Sequence, residues 1–109
     1  MPVTSTQVKN SASVMQIAIG RYISSDTAAA FTITLGFKPL WVKVMNVTSG
    51  DHYEWYHGMA AASATKRVTA GDATIITTLG ITQAENGFTV GLDTDVNVIN
   101  EQLSWMAIG

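Results

Sequence analysis

The sequence contains no cysteine. Disulfide staples, zinc–thiolate sites and cysteine nucleophiles are therefore excluded together, and the absence fits synthesis in a reducing cytoplasm. Charge is also scarce. Only 13% of the residues are Asp, Glu, Lys or Arg, about half the usual share of roughly 25%. Net charge is −2, and the six basic residues are scattered, with Lys66-Arg67 the only adjacent pair. Such a chain offers no electrostatic footprint to nucleic acid or to an anionic membrane. No uncharged apolar run approaches the ~18 residues of a membrane span. Met1–Ser13 holds one Lys and mostly polar residues, with no hydrophobic segment of the signal-peptide kind. The expected partners therefore include no nucleic acid and no membrane.

What is present points to β-structure. A chain of 109 residues fits one domain and can bury roughly 65% of its unfolded surface, enough for one core. Hydrophobic residues make up 47%. With so few charges, the surface must be Thr, Ser, Asn, Gly and apolar groups, which suits burial against partners. Val, Ile and Thr total 33 residues, all stiff at χ1 and favouring extended backbone. Turn formers recur at short intervals: Ser24-Ser25-Asp26, Gly36–Pro39, Thr48–Asp51, Ala70-Gly71-Asp72, Asn86-Gly87 and Gly91-Leu92-Asp93. Between them we read eight strands, near Val14–Ile23, Phe31–Leu35, Leu40–Val47, His52–His57, Ala64–Thr69, Ala73–Thr78, Phe88–Gly91 and Gln102–Ile108. The expectation is an all-β antiparallel β-sandwich of jelly-roll type over residues 14–109, with an immunoglobulin-like sandwich as the alternative. Residues 1–13, polar and aperiodic, are expected to form a flexible N-terminal arm.

Alternation predicts which side chains share a face. Phe31, Ile33 and Leu35 fall on one side of their strand and two threonines on the other. Leu40, Val42 and Val44 share a face, opposed by Trp41, Lys43, Met45 and Val47, so that strand is largely apolar on both sides. Either it is central and covered twice, or one row faces another subunit. Next come Tyr53 and Trp55, opposed by Glu54 and Tyr56, joined to the preceding strand as a hairpin through a Gly-containing four-residue loop. Met59–Ala64 is rich in helix formers but too short to stand alone, and reads as a loop or single turn.

Tests for chemistry fail one by one. His52 and His57, the only histidines, are an odd number of residues apart, so a regular strand points them to opposite faces. Asp93-Thr94-Asp95-Val96-Asn97 imitates the start of a calcium loop, but Val98 stands where glycine is needed and Ser104 where the bidentate glutamate is needed. Ser49, Asp51 and His52 sit on a turn signal, and there is no Gly-x-Ser-x-Gly elbow or phosphate loop. No catalytic residue, metal site or cofactor is expected, and the chain is not expected to be an enzyme. An aromatic-rich middle remains: Trp41, Tyr53, Trp55, Tyr56 and Met59, with Trp105 near the end. Trp and Tyr anchor interfaces because they bury large areas at small entropic cost. A sandwich this small cannot hold all six inside, so the first five are candidate interface residues.

A longer pattern carries a resemblance. It opens with Gly36-Phe37-Lys38-Pro39-Leu40-Trp41-Val42-Lys43-Val44-Met45-Asn46-Val47-Thr48 and continues through Tyr53–Met59 and Thr69-Ala70-Gly71-Asp72. It closes with Gly80-Ile81-Thr82, Asn86–Gly91 and Trp105-Met106-Ala107. Over residues 36–109 this order resembles the small β-structured virion proteins of tailed bacteriophages, the head decoration or capsid cement proteins among them. The resemblance implies a structural protein made in the host cytoplasm and placed on the capsid exterior. It implies the major capsid protein as partner, and commonly a homotrimer. The other readings are a tail or fibre module, and a carbohydrate-binding β-sandwich that stacks sugars on exposed Trp and Tyr.

Overall fold

The computed structural model describes residues 16–23, 30–68, 71, 73–93 and 95–109. The expected arm, residues 1–13, and the Ser24-Ser25-Asp26 turn lie outside them. Eight strands follow in chain order among the described residues: β1 (Ile17–Ile23), β2 (Phe31–Thr34), β3 (Trp41–Asn46), β4 (His52–Tyr56), β5 (Ser63–Arg67), β6 (Ala73–Ala84), β7 (Gly87–Val90) and β8 (Gln102–Ile108). No helix occurs among the described residues, and none there is long and apolar enough to cross a membrane. The all-β antiparallel expectation holds.

The strands form one sheet in the order β1-β8-β3-β4-β5-β6-β7-β2, with every pairing antiparallel. First pairs with last and second with seventh, the nested pairing of a rolled hairpin, while β3 to β7 form a meander. β7 and β8 lie five places apart, a separation of about 24 Å in a flat sheet. Yet Phe88 of β7 and Trp105 of β8 meet edge to face with centroids 5.6 Å apart. At the two edges, Tyr22 of β1 stacks on Phe31 of β2 at 3.6 Å. The sheet is therefore curled into a half-barrel, its halves facing each other as the layers of a sandwich and its seam closed by side chains.

The core lies on the concave face. Val42, Val44, Tyr53, Trp55, Ile81, Phe88, Val90 and Leu103 are all buried, with Phe31, Ile33 and Leu35 packed against them as the alternation predicts. The β3–β4 loop is built on Asn46: its Oδ1 accepts the N–H groups of Thr48 and Ser49, and its Nδ2 donates to the Val96 carbonyl and to Glu101. Buried Asn46 thus ties the hairpin to the segment before β8, with each polar atom satisfied.

One element departs from expectation. β6 continues to Ala84, past the expected end at Thr78. Ala64 pairs with Ile76 while Ser63 pairs with Ile81, so Thr77–Gly80 are extra residues that turn a corner. The first half of β6 pairs with β5, the second with β7. Leu79 takes a φ of 62° there, and the buried Tyr53 hydroxyl donates to its carbonyl at 3.1 Å. Gly80 and Gly91 cross in contact, the Gly91 N–H donating to the Gly80 carbonyl at 2.9 Å. A Cβ on Gly91 would come within 2.5 Å of the Leu79 carbonyl, so the crossing needs that glycine.

Candidate functional site

The unusual surface is the convex face, opposite the core. β1 reads Ile-Ala-Ile-Gly-Arg-Tyr-Ile, and it is the isoleucines that face out: Ile17, Ile19 and Ile23 are 53%, 75% and 64% exposed. The reason lies beneath the strand. Trp105 occupies the space under Gly20, where even a Cβ would fall 2.5 Å from the indole Cζ2. Only a glycine fits at position 20 on that side; Ala18 and Tyr22 share its face, and alternation leaves Ile17, Ile19, Arg21 and Ile23 outward.

Register extends this row across the sheet. Ile17 aligns with Ile108 of β8, Ile108 with Trp41 of β3, and Trp41 with Tyr56 of β4. Trp41 and Tyr56 stack nearly parallel, at 6° and 6.0 Å. The next row runs Ile19, Met106, Lys43, Glu54, Thr65, Ile75. The third runs Arg21, Ser104, Met45, His52, Arg67, Ala73. The apolar part is thus the β1–β8–β3 corner, while charges collect over β4 and β5. Lys43 and Glu54 pair at 4.0 Å within it. Glu54 also accepts the Tyr56 hydroxyl, and that hydrogen bond pushes the Tyr56 phenol pKa up.

The five candidate interface residues separate. Trp41 and Tyr56 lie together on the convex face. Tyr53 and Trp55 alternate with them and are buried in the core, 0% and 2% exposed. Met59 packs against the core from the β4–β5 turn, its sulfur accepting the Tyr56 N–H at 3.3 Å. The Trp55 indole donates to the Ala60 carbonyl at 3.3 Å. The Trp41 and Trp105 indole N–H groups are hidden from solvent and find no acceptor among the described residues.

The calcium-like segment holds an internal cation. Lys66 Nζ lies 2.9 Å from Asp93 Oδ2 and 2.6 Å from Asp95 Oδ2. Asp93 Oδ1 accepts the N–H groups of Asp95 and Val96. The Asp-x-Asp-x-Asn turn is therefore an Asx turn neutralised by a lysine from β5. Burial alone would raise the Asp93 pKa, but the backbone N–H of Asp95 and the Lys66 ammonium outweigh it and hold the carboxyl below its ordinary value. Burial would lower the Lys66 pKa, yet the two carboxylates outweigh that and hold it raised. Tyr53 beside this cluster is pushed far up, by burial first and by Asp93 second. A buried charge is stable only when paired and hydrogen-bonded, and this one is. His52 lies on the convex face of β4 and His57 in the exposed turn beyond it. No group of three or more His, Asp or Glu side chains is placed to hold a metal among the described residues.

The isoleucine row is what sequence reading missed. Its alternation was visible in Ile17, Ile19 and Ile23, but hydrophobicity alone would have turned that row inward. No protein-family model, curated protein or solved structure matches this chain.

Proposed function

We propose that this chain is a structural virion protein that decorates and stabilises a bacteriophage capsid, clamping neighbouring major capsid proteins through the convex face of its sheet. One observation carries the reading: a row of large apolar side chains, Ile17, Ile108, Trp41 and Tyr56, flanked by Ile19 and Met106, lies on the face away from the core. A contiguous apolar patch of this kind marks an interaction surface, where isolated exposed apolar residues do not. The low charge of the chain and the pattern in residues 36–109 support the same reading. A ligand that binds only the assembled lattice stabilises that lattice by mass action, and linked copies add avidity.

The test is co-sedimentation with assembled heads of the phage that encodes the chain, against its unassembled coat protein. Saturable binding to heads and none to free coat is the expected result. Equal binding to both, or to neither, would remove the clamp. The parallel Trp41–Tyr56 pair favours one other use, stacking on sugar rings. A saturable shift of tryptophan fluorescence with oligosaccharide would move the assignment there.

A further inference from the structure

β1 is an edge strand, and edges usually carry protection such as lysine, proline or a bulge. β1 has none of these. It runs seven residues in unbroken register with β8 and bears a single charge, Arg21. Reciprocal hydrogen bonds between Gln16 and Gly109, 3.1 and 2.8 Å, set the phase of the ladder. Ala18, Gly20 and Tyr22 therefore aim their N–H and C=O groups at β8. Ile17, Ile19, Arg21 and Ile23 aim theirs at the edge that pairs with no other strand among the described residues.

We infer that this edge pairs with the same edge of a second copy, antiparallel about a twofold axis through Gly20. In that register Ile17 aligns with Ile23 of the second copy and Ile19 with Arg21, and the reverse. All four open residues of each strand are then matched, in four reciprocal pairs that each exchange two hydrogen bonds. Charge selects the register. Moving the axis to Arg21 would set two guanidinium groups directly opposite, an unfavourable like-charge pair, and would leave Ile17 unmatched. Moving it to Ile19 would leave Ile23 unmatched. With the axis at Gly20, the central one of three close, non-hydrogen-bonded pairs, about 4.5 Å between Cα atoms, falls on the residue without a side chain.

A seven-residue edge is smaller than the standard patch of about 800 Å² per partner. The pairing is therefore a reversible dimer, with half-association on the order of micromolar. It is twofold, where the sequence resemblance implies threefold assembly. It does not rest on the virion reading, but it sets the two isoleucine rows side by side on one continuous convex face.

The experiment is sedimentation velocity over a concentration series, with circular dichroism as the check on folding. Ile19→Pro removes an N–H that points to the open edge, so the β8 ladder survives. The expected result is a folded chain whose half-association concentration rises at least about tenfold. Ile19→Cys with Arg21→Cys, in a chain that otherwise has no cysteine, should give a disulfide-linked dimer on mild oxidation. Opposed Cα atoms about 5.5 Å apart can be bridged. A wild-type chain that stays monomeric, a trimer, or association unchanged by Ile19→Pro would overturn the inference. Should Ile19→Pro unfold, the double-cysteine chain decides: no cross-linked dimer refutes it.

Discussion

The two faces of β1 invert the usual order of a strand. Inward stand Ala18, Gly20 and Tyr22, and outward stand Ile17, Ile19 and Ile23. β3 and β4 behave conventionally, with Val42, Val44, Tyr53 and Trp55 all buried inside. Hydrophobicity is similar on both sides of the β1–β8–β3 corner, so it does not choose the face. Volume does. Close packing leaves no room for a side chain at position 20 once Trp105 lies there, and alternation from that point sets the isoleucines outward. An apolar row set outward by shape, and left contiguous, is the feature on which the proposed docking rests.

The sharpest way to break this contrast is to cut each face in turn. Phe88→Ala on the concave side should cost about 3–5 kcal/mol in urea unfolding, a large part of the stability of a domain this size. A loss below 1 kcal/mol would place the core elsewhere. Lys66→Met should cost about 3 kcal/mol, because it leaves the Asp93 carboxylate enclosed without its cation.

The same cluster predicts a pH profile. Tyr53 and Lys66 are both held above their ordinary values of 10.0 and 10.5. The native state then keeps protons that the unfolded chain releases, so stability is full below about pH 10 and falls above it. Asp93, held below 3.8, contributes stability that is lost as pH falls beneath that value. Thermal unfolding across pH should show a plateau with losses at both ends. Tyr53→Phe should flatten the alkaline limb.

Gly20→Val tests the steric origin of the inversion. It should lose about 1–3 kcal/mol by overpacking against Trp105, and a neutral result would mean that Trp105 does not displace the isoleucines. The smallest effect belongs to the convex face itself. Ile23→Thr should change stability by no more than about 0.5 kcal/mol, since the residue supports no core contact in the free chain.

Much of this architecture was legible in the sequence. Turn residues and β-branched runs located all eight strands, and alternation placed Phe31, Ile33, Val42, Val44, Tyr53 and Trp55 on their faces. What stayed hidden depended on distant contacts. The sixth strand was expected to stop at Thr78 because nothing local shows that the chain turns a corner there and crosses Gly91 at Gly80. The Asp93–Asn97 turn read as a failed calcium loop because Lys66, its cation, lies 27 residues away. The five interface candidates could not be divided between core and convex face until register set Trp41 beside Tyr56.

The most direct test of the account is co-sedimentation with assembled heads of the wild-type chain beside the Ile17→Lys/Tyr56→Lys double variant. These two residues end the apolar row and support nothing in the core. The account predicts an equally folded variant whose binding to heads falls at least about tenfold. Binding equal to wild type, by a folded variant, would contradict the assignment of the convex face as the docking surface.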